Sequence, residues 1–418
     1  MQHLLDTRRA PTARMRLDDE RGAVLVFVAI ALVGMLGFSA LIVDYGMLWT
    51  ARRQAQNAAD AGAMAAAVSM GYQDMGDQTL ARSAALSAAK ANYIWGALPD
   101  ITNADVTFPP CPPGSPGAGS SACVRVDVFR NQRANGNPLP TMFGRLLGVN
   151  DQGVRATATA EVLFGNSATC VKPWAIPDKW LELRGDVAPS GWDPEDEFER
   201  YAGNGSLLSP ADFYEPPGPM ASNNGNGTGF TRESVSGSDY GLQLTLKTGN
   251  DDRISSSWHY PVVLDCTGGN CYRDAISGCA ARVVGPGTVL DVEPGNMVGP
   301  TRQGVDDLID MDPGAYWDPT MFNGRGGIAG GCLAAGTCTK SPRLVAVPVF
   351  NVDTFQHGPI NGRTEVVITK VLGFFIEGAS GNHAATTGRL MTYPAEPRPG
   401  EDVGNAGSAF VVSIALVR

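Results

Sequence analysis

The segment AVLVFVAIALVGMLGFSALIV, residues Ala23–Val43, decides how this 418-residue chain is organised. All 21 of its residues are uncharged and nearly all are apolar. A helix rises about 1.5 Å per residue, so about 20 such residues cross the hydrocarbon core of a bilayer. The segment therefore predicts a transmembrane helix over 23–43. Because no Pro follows Val43 closely, we expect the same helix to continue outside the membrane as a stalk helix.

The charges beside this segment predict its orientation. Two arginines, Arg52 and Arg53, follow it closely, whereas five precede it: Arg8, Arg9, Arg14, Arg16 and Arg21. The positive-inside rule then places residues 1–22 in the cytoplasm as a tail and exports the rest of the chain. A cleaved signal peptide is the alternative, but its apolar region should span about 7–15 residues. The longer run seen here favours a retained anchor.

The composition separates classes of function. The net charge is −10, and phosphate binding requires clustered Lys and Arg, so we expect no nucleic-acid partner. Charged residues make up 18%, while 51 Gly and 29 Pro break the chain into many turns. This mixture is typical of a loop-rich, strand-rich extracytoplasmic protein.

The cysteines predict a disulfide framework in an oxidising compartment, because their number is even and all lie beyond the apolar segment. Proximity in sequence suggests three local pairs and leaves one long-range pair. The suggested pairs are Cys111 with Cys123, Cys266 with Cys271, Cys332 with Cys338, and Cys170 with Cys279. Zinc binding is the less favoured alternative, since the chain has no C-x-x-C spacing.

Small residues recur at alternating steps of three and four after the apolar segment. They form a small-residue stripe of seven positions: Leu48, Ala51, Ala55, Ala58, Gly62, Ala65 and Ser69. This spacing places them on one helix face, and small side chains let a neighbouring element approach closely. The stripe therefore packs either on the globular head of the same chain or on copies and partner subunits, and the two alternatives are compatible.

The remaining chain divides at about residue 165. A second helical stretch, 77–95, and strand-like runs at 104–108, 124–130 and 154–164 predict an α+β head. The sequence beyond Cys170 is rich in Pro, Gly, Asn and Trp and carries further strand-like runs, so we expect a loop-rich, mostly β domain. The predicted fold class is α+β, with four parts: a tail (1–22), a transmembrane helix (23–43), a stalk helix with the head (44–165) and a C-terminal domain (166–418).

The candidate chemistry is weak. An acidic cluster between Asp193 and Glu197 offers oxygen ligands for Ca²⁺, but it lacks the spacing of a calcium loop, so a solvated acidic loop is favoured. His259, Asp265 and Ser257 can be drawn as a triad, although a chain of this length contains such sets by chance. No nucleophile, phosphate-loop or metalloprotease motif is present in the sequence. We therefore predict a non-enzymatic protein with no catalytic, cofactor-binding or metal-binding residues.

The stretch Glu20–Ala67 resembles the N-terminal module of TadG-like proteins of tight-adherence (Flp/Tad) pilus assembly. The shared features are a Gly before the span, a V-D-x-G at its end, and the motif ARRQAQNAADAGAMAAA, residues 51–67. This resemblance implies a single-pass protein of the bacterial inner membrane, with a pseudopilin-like head and pilus-assembly subunits as partners. Phe27 stands where pilin-type processing expects Glu after Gly22, so we expect a permanent anchor.

Two functional hypotheses follow from these features. The first is a non-enzymatic component that assembles, anchors or displays an adhesive pilus, with its disulfide-stabilised body in the periplasm or outside the cell. The alternative is a membrane-anchored extracytoplasmic hydrolase or an adhesive, ligand-binding exoprotein that uses the C-terminal domain.

Overall fold

The computed structural model describes residues 20–72, 76–133, 137–184, 191–218, 220–232, 238–248, 253–295, 297–357, 365–381, 383–395 and 409–417. The expected tail therefore lies, up to residue 19, outside the described residues. The fold combines a long N-terminal helix with a mostly β body, which agrees with the predicted α+β class.

Helices and strands alternate irregularly along the chain. The helices are α1 (Glu20–Tyr72), α2 (Gln78–Lys90), α3 (Ser222–Gly225), α4 (Gly269–Ser277), α5 (Val298–Met311), α6 (Met321–Gly324), α7 (Gly331–Ala334) and α8 (Val352–His357). The strands are β1 (Val106–Thr107), β2 (Cys123–Arg130), β3 (Leu139–Pro140), β4 (Asp151–Gln152), β5 (Val154–Gly165), β6 (Trp174–Pro177), β7 (Gln243–Thr248), β8 (Trp258–Pro261), β9 (Val289–Asp291), β10 (Ala315–Asp318), β11 (Gly327–Gly330), β12 (Leu344–Phe350), β13 (Glu365–Ser380), β14 (Ala385–Met391), β15 (Tyr393–Pro394) and β16 (Val411–Val417). Two 3₁₀ turns cover Asn103–Asp105 and Gly144–Leu147.

Helix α1 is continuous over 53 residues, which corresponds to a length of about 80 Å. Its sequence contains no Pro, so no backbone donor is lost along its length. Helix α2 begins at Asp77, whose side chain accepts hydrogen bonds from the amides of Thr79 and Leu80, both at 3.0 Å. Such a cap satisfies two amide groups that an uncapped helix leaves unpaired.

The head is a five-stranded sheet covered by α1 and α2. Its strand order is β1–β2–β5–β16–β15. Strands β2 and β5 pair antiparallel over their whole shared length, and β5 also pairs antiparallel with β16. The core between helices and sheet consists largely of Ala and Val, such as Ala58, Ala85 and Val126. These small side chains let the helices lie close to the sheet.

The last strand returns to this sheet from the far end of the chain. Val411–Val417 of β16 runs beside Thr159–Gly165 of β5. The sequence placed all of residues 166–418 in the C-terminal domain, whereas the structure places β16 and β15 in the head. The head is therefore completed by residues about 250 positions later than its own strands, a pairing that local sequence patterns do not reveal.

The C-terminal body is built around a closed ring of strands. Its strands follow the order β12–β6–β8–β7–β14–β13, and because β12 also pairs with β13 antiparallel, these six strands form a barrel. Strand β9 extends the sheet from β13. Helices α4 and α5 pack together and are joined by an ion pair between Arg273 and Asp307 at 2.8 Å.

Arg232 joins the two parts of the molecule. Its side chain is fully buried, its guanidinium donates to the carbonyl of Gly71 at 3.3 Å, and it lies 4.5 Å from the ring centre of Phe164. A buried guanidinium needs such partners to offset the loss of hydration. The contact fixes the C-terminal end of α1 against the loops that lead into the barrel.

The N-terminal helix and its junction with the head

The two halves of α1 lie in different surroundings. Its first half, residues 24–43, which we call the anchor half, exposes its large apolar side chains, including Leu25, Phe27 and Phe38. A Cβ at Gly34 or Gly37 would meet nothing within 4 Å. This part of the helix is long and apolar enough to cross a membrane. An exposed apolar surface of this size is costly in water, so the anchor half is suited to an apolar environment.

The second half, residues 47–72, which we call the packed half, is built into the head. The structure places the small-residue stripe on its inner face: Ala51, Ala55, Ala58, Gly62 and Ser69 are buried, and Leu48 and Ala65 are partly buried. Buried neighbours that the stripe omitted widen this face: Met47, Ala59, Ala63, Ala66, Ala67 and Met70. Within this chain, the face packs on its own head.

Gly62 marks a close approach of α1 to both α2 and β2. A Cβ at this position would lie 3.2 Å from the carbonyl oxygen of Ala85, 3.2 Å from Cγ1 of Val126 and 3.3 Å from Cβ of Ala89. These distances are shorter than ordinary van der Waals contact. The glycine therefore allows α2 and β2 to meet the helix at the same level, which a larger residue would prevent.

Asp44 forms the junction between the two halves. Its carboxylate accepts hydrogen bonds from the amides of Met142 (2.8 Å), Phe143 (3.1 Å) and Gly144 (2.7 Å). These amides stand at the start of the 3₁₀ turn, where no other backbone partner is available to them. Desolvation alone would raise the pKa of Asp44, but the three amide donors outweigh it and lower the pKa below its ordinary value.

Sequence reasoning did not find the partners of Asp44. The V-D-x-G motif places Asp44 at the end of the apolar segment, and nothing in the sequence indicates its contacts. The three amides lie about 100 positions further along the chain, so only the folded structure brings them to the carboxylate. The signal that could have been used is the charge itself, because an acidic residue at a membrane boundary generally has a defined partner.

The eight cysteines form the four pairs that sequence proximity suggested. Cys111 is bonded to Cys123, Cys170 to Cys279, Cys266 to Cys271, and Cys332 to Cys338. Glu161 lies close to the sulfurs of Cys111 and Cys123, a grouping that could hold a metal ion if the thiols were free. Because both sulfurs are in the disulfide, they offer no thiolate ligands. One oxygen of Glu161 instead accepts from the amide of Gly117 at 2.6 Å.

The acidic cluster uses its carboxylates to shape a loop. Asp196 accepts from the amide of Asp193, and Asp193 from that of Glu195, both at 2.7 Å. Glu197 pairs with Arg253 at 3.1 Å on the surface. Burial is the main cause that raises the pKa of Asp196. These bonds show that the acidic side chains of the cluster stabilise the conformation of the loop.

The structure does not assemble the triad that the sequence allows. His259 is fully buried, both of its ring nitrogens lack a hydrogen-bond partner among the described residues, and burial lowers its pKa to about 3. The Ser257 hydroxyl pairs with Ser255 at 3.0 Å, and Asp265 accepts from the amide of Ala281 at 3.2 Å. Ser257 and Asp265 are thus engaged with other partners, and the ring nitrogens of His259 bond to neither of them. The side chain of His357 lies outside the described residues.

A buried ion pair in the barrel was also missed from the sequence. Lys370 and Asp178 are both fully buried, with 3.2 Å between Nζ and Oδ1. Asp178 also accepts from the amide of Phe230 at 2.9 Å and from the hydroxyl of Tyr214 at 3.0 Å, while Lys370 donates to the carbonyl of Phe230 at 2.8 Å. Each charge has several partners, which is the condition under which a buried pair is tolerated. The arrangement fixes β6 relative to β13.

The tryptophans of the body are largely structural. Trp174 and Trp180 are buried in the core, and Trp192 packs edge-on against Trp180 with ring centres 6.2 Å apart. Phe198 and Phe230 complete this aromatic cluster. Edge-to-face contacts of this kind stabilise a core beyond their buried area. The cluster holds together loops that have few regular backbone pairings.

The geometry defines a class of protein: a disulfide-stabilised α+β body carried on a single apolar helix that could cross a membrane. Comparison of the sequence with known families finds a match for most of this helix. Residues 22–69 match the family model described as putative Flp pilus-assembly TadE/G-like. The resemblance to TadG-like proteins is thereby confirmed for this segment, which contains the anchor half and most of the packed half. No curated protein matches the chain, and no solved structure matches it.

Proposed function

We propose that this protein is a membrane-anchored component of Tad/Flp pilus assembly. The observation that carries the proposal is that the family match over residues 22–69 coincides with α1, a helix that has an unpacked apolar half and a packed half. This helix can hold the body at a membrane while presenting the head to other subunits. The role includes assembly, anchoring or display of the pilus and, through it, adhesion of the cell.

The orientation in this proposal places residues 1–22 in the cytoplasm and the body on the other side of the bacterial inner membrane. The arginine-rich sequence before the apolar segment supports it, since such residues are retained on the cytoplasmic side. The four disulfides support it as well, because disulfides persist in oxidising compartments such as the periplasm.

The head is proposed to be pseudopilin-like and to act by contact rather than by catalysis. In support, a long N-terminal helix lies across a largely antiparallel sheet, and many of the side chains between them are small. Two of the groups that resemble catalytic residues are used in structural contacts, as Ser257 and Asp265 illustrate. We therefore propose a non-enzymatic role in which pilus-assembly subunits are the partners.

The experiment that tests this function is deletion of the gene in the source bacterium, followed by counting of pili and measurement of surface adhesion. We expect both to fall, and we expect the full chain to restore them. A chain lacking residues 20–43 should not restore them, whereas Ala31→Leu, which keeps the anchor apolar, should do so. Normal piliation and adhesion in the deletion strain would contradict the proposal.

A further inference from the structure

A hairpin loop of the head lies at the level where the apolar segment of α1 ends. The loop covers residues 141–149 and joins β3 to β4, which pair antiparallel as Leu139 with Gln152 and Pro140 with Asp151. Its 3₁₀ turn begins at the amides that Asp44 binds, and Asp44 directly follows Val43. The backbone of the loop is therefore held within hydrogen-bond distance of the first residue after the anchor half.

The loop is internally fixed, so its exposed side chains are presented in a defined way. The amide of Val149 donates to the carbonyl of Gly144 at 2.9 Å, and the hydroxyl of Thr141 donates to the carbonyl of Val149. Gly148 closes the turn with a φ of +83°, a conformation that favours glycine. A loop of this kind does not need exposed apolar residues for its own stability.

The loop nevertheless exposes large apolar side chains. Met142 is 66% exposed and Phe143 41%, and Val149 is also exposed. On the helix beside it, Tyr45 and Trp49 are exposed in the first turns after Asp44. Aromatic residues at this position relative to an apolar span are typical of the membrane–water interface, where one end of the side chain is apolar and the other is polar.

The distances fit a bilayer surface. The headgroup regions add about 5–8 Å on each side of the hydrocarbon core, and one helical residue advances about 1.5 Å. Asp44 therefore stands in the headgroup region when residues 23–43 span the core, and so does the loop that it binds. Exposed Arg145 in the same loop adds a positive charge at the level of the lipid phosphates.

We propose that residues 141–149 form a second contact with the membrane, in which Met142 and Phe143 enter the lipid headgroup region beside the anchor half. Asp44 positions this loop by holding its three amides, and it needs no cationic partner because those amides satisfy its charge. The contact fixes the tilt of the head relative to the bilayer, because a helix alone would leave the head free to lean. The inference rests on the proposed membrane span of residues 23–43.

The test uses the full chain in lipid vesicles and measures quenching of an added tryptophan by lipids brominated at defined depths. The variants are Met142→Trp and Phe143→Trp, with emission taken as the difference from the unsubstituted protein. Phe27→Trp reports on the span. Val68→Trp is the control, because this exposed residue of the packed half lies about 36 Å beyond Asp44 along the helix.

We expect the emission added by Met142→Trp and Phe143→Trp to be lost to shallow bromines more than to deep ones, and that of Val68→Trp to persist. Asp44→Ala should reduce the quenching at Met142→Trp, because the loop is then no longer held at the helix. If Phe27→Trp is quenched while the two loop variants behave like Val68→Trp, the second contact is wrong and the span stands. If Phe27→Trp is also unquenched, the span itself is wrong. Loop emission that changes with protein density but not with brominated lipid would indicate a second copy as the occupant and would overturn the proposal.

Discussion

The anchor half and the packed half of α1 belong to one uninterrupted helix but differ in composition and in surroundings. The anchor half is apolar on every side and touches nothing in the described structure, whereas the packed half is apolar and small on one side and polar on the other. The first has the composition of a segment solvated by lipid, the second that of a segment solvated by a protein core. Asp44 lies at the change between the two.

The difference shows that side-chain volume is constrained in the packed half, whereas in the anchor half only the apolar character of the side chains is constrained. In the anchor half, lipid tails adapt to any apolar shape, so volume is weakly constrained. In the packed half, Gly62 and the surrounding alanines lie in close contact with α2 and β2, so volume is strongly constrained. Three substitution experiments, in decreasing order of expected effect, examine this contrast.

The largest effect is expected from charges in the anchor half. The double change Val33→Arg and Leu36→Arg places two guanidinium groups where the bilayer core is expected, at about 2.5–3.5 kcal/mol each near the helix centre. The two together cost about 5–7 kcal/mol, and the chain should be lost from the membrane fraction after carbonate extraction. The matched control is Asn57→Arg and Val68→Arg on the exposed side of the packed half, which should leave extraction unchanged. If both double variants were retained in the membrane fraction to the same extent, the two halves would not differ in their surroundings.

An intermediate effect is expected from volume, with the same substitution made in each half. Ala58→Leu inserts three carbon atoms into the buried face of the packed half and should lower the free energy of unfolding of the head by about 1–3 kcal/mol. Ala31→Leu makes the same change in the anchor half, where we expect no loss. The measurement is denaturant unfolding in detergent, followed by hydrogen exchange of the β2 and β5 amides. An unchanged midpoint for Ala58→Leu would show that this face is not tightly packed.

The packed stripe, the anchor and the cysteine pairs illustrate what could be predicted from the sequence. Each depends mainly on residues that are close together along the chain: an apolar run, a spacing of three and four, and three pairs of neighbouring cysteines, which leave Cys170 and Cys279 as the fourth pair. The return of β16 to β5, the closure of β12 on β13 and the capping of the loop by Asp44 join positions far apart, and no local period records them. Local conflicts also misled the prediction. The strand expected over 104–108 is reduced to Val106–Thr107, because the Asp105 carboxylate accepts from the amide of Thr102 and fixes a 3₁₀ turn over Asn103–Asp105 just before it.

The smallest effect is expected from pH, which separates the body from the anchor because residues 23–43 contain no titratable side chain. Burial lowers the pKa of His259 to about 3, below its ordinary value of 6.5. The stability that this neutral histidine contributes is therefore present above pH 6.5 and is lost as the pH falls toward 3. At pH 5.5 the loss amounts to about 1.4 kcal/mol.

His259→Leu removes this titration and should make unfolding less sensitive to acid by that amount between pH 7.5 and 5.5. Burial raises the pKa of Asp212 to about 6, so the stability linked to Asp212 changes with pH in the opposite direction. Both proteins contain Asp212, and the difference between them therefore reports on His259 alone. Unfolding curves at the two pH values provide the measurement. If the two proteins show the same pH dependence, His259 is not buried in its neutral form.

The central claim is that α1 crosses the inner membrane with its packed half and the body on the far side. Protease treatment of spheroplasts tests this most directly, using the full chain with one epitope before residue 20 and one after residue 417. We predict that external protease removes the C-terminal epitope and leaves the N-terminal epitope on a short protected fragment, and that detergent exposes both. Loss of the N-terminal epitope with the body protected, or equal protection of both epitopes in intact spheroplasts, would contradict the account.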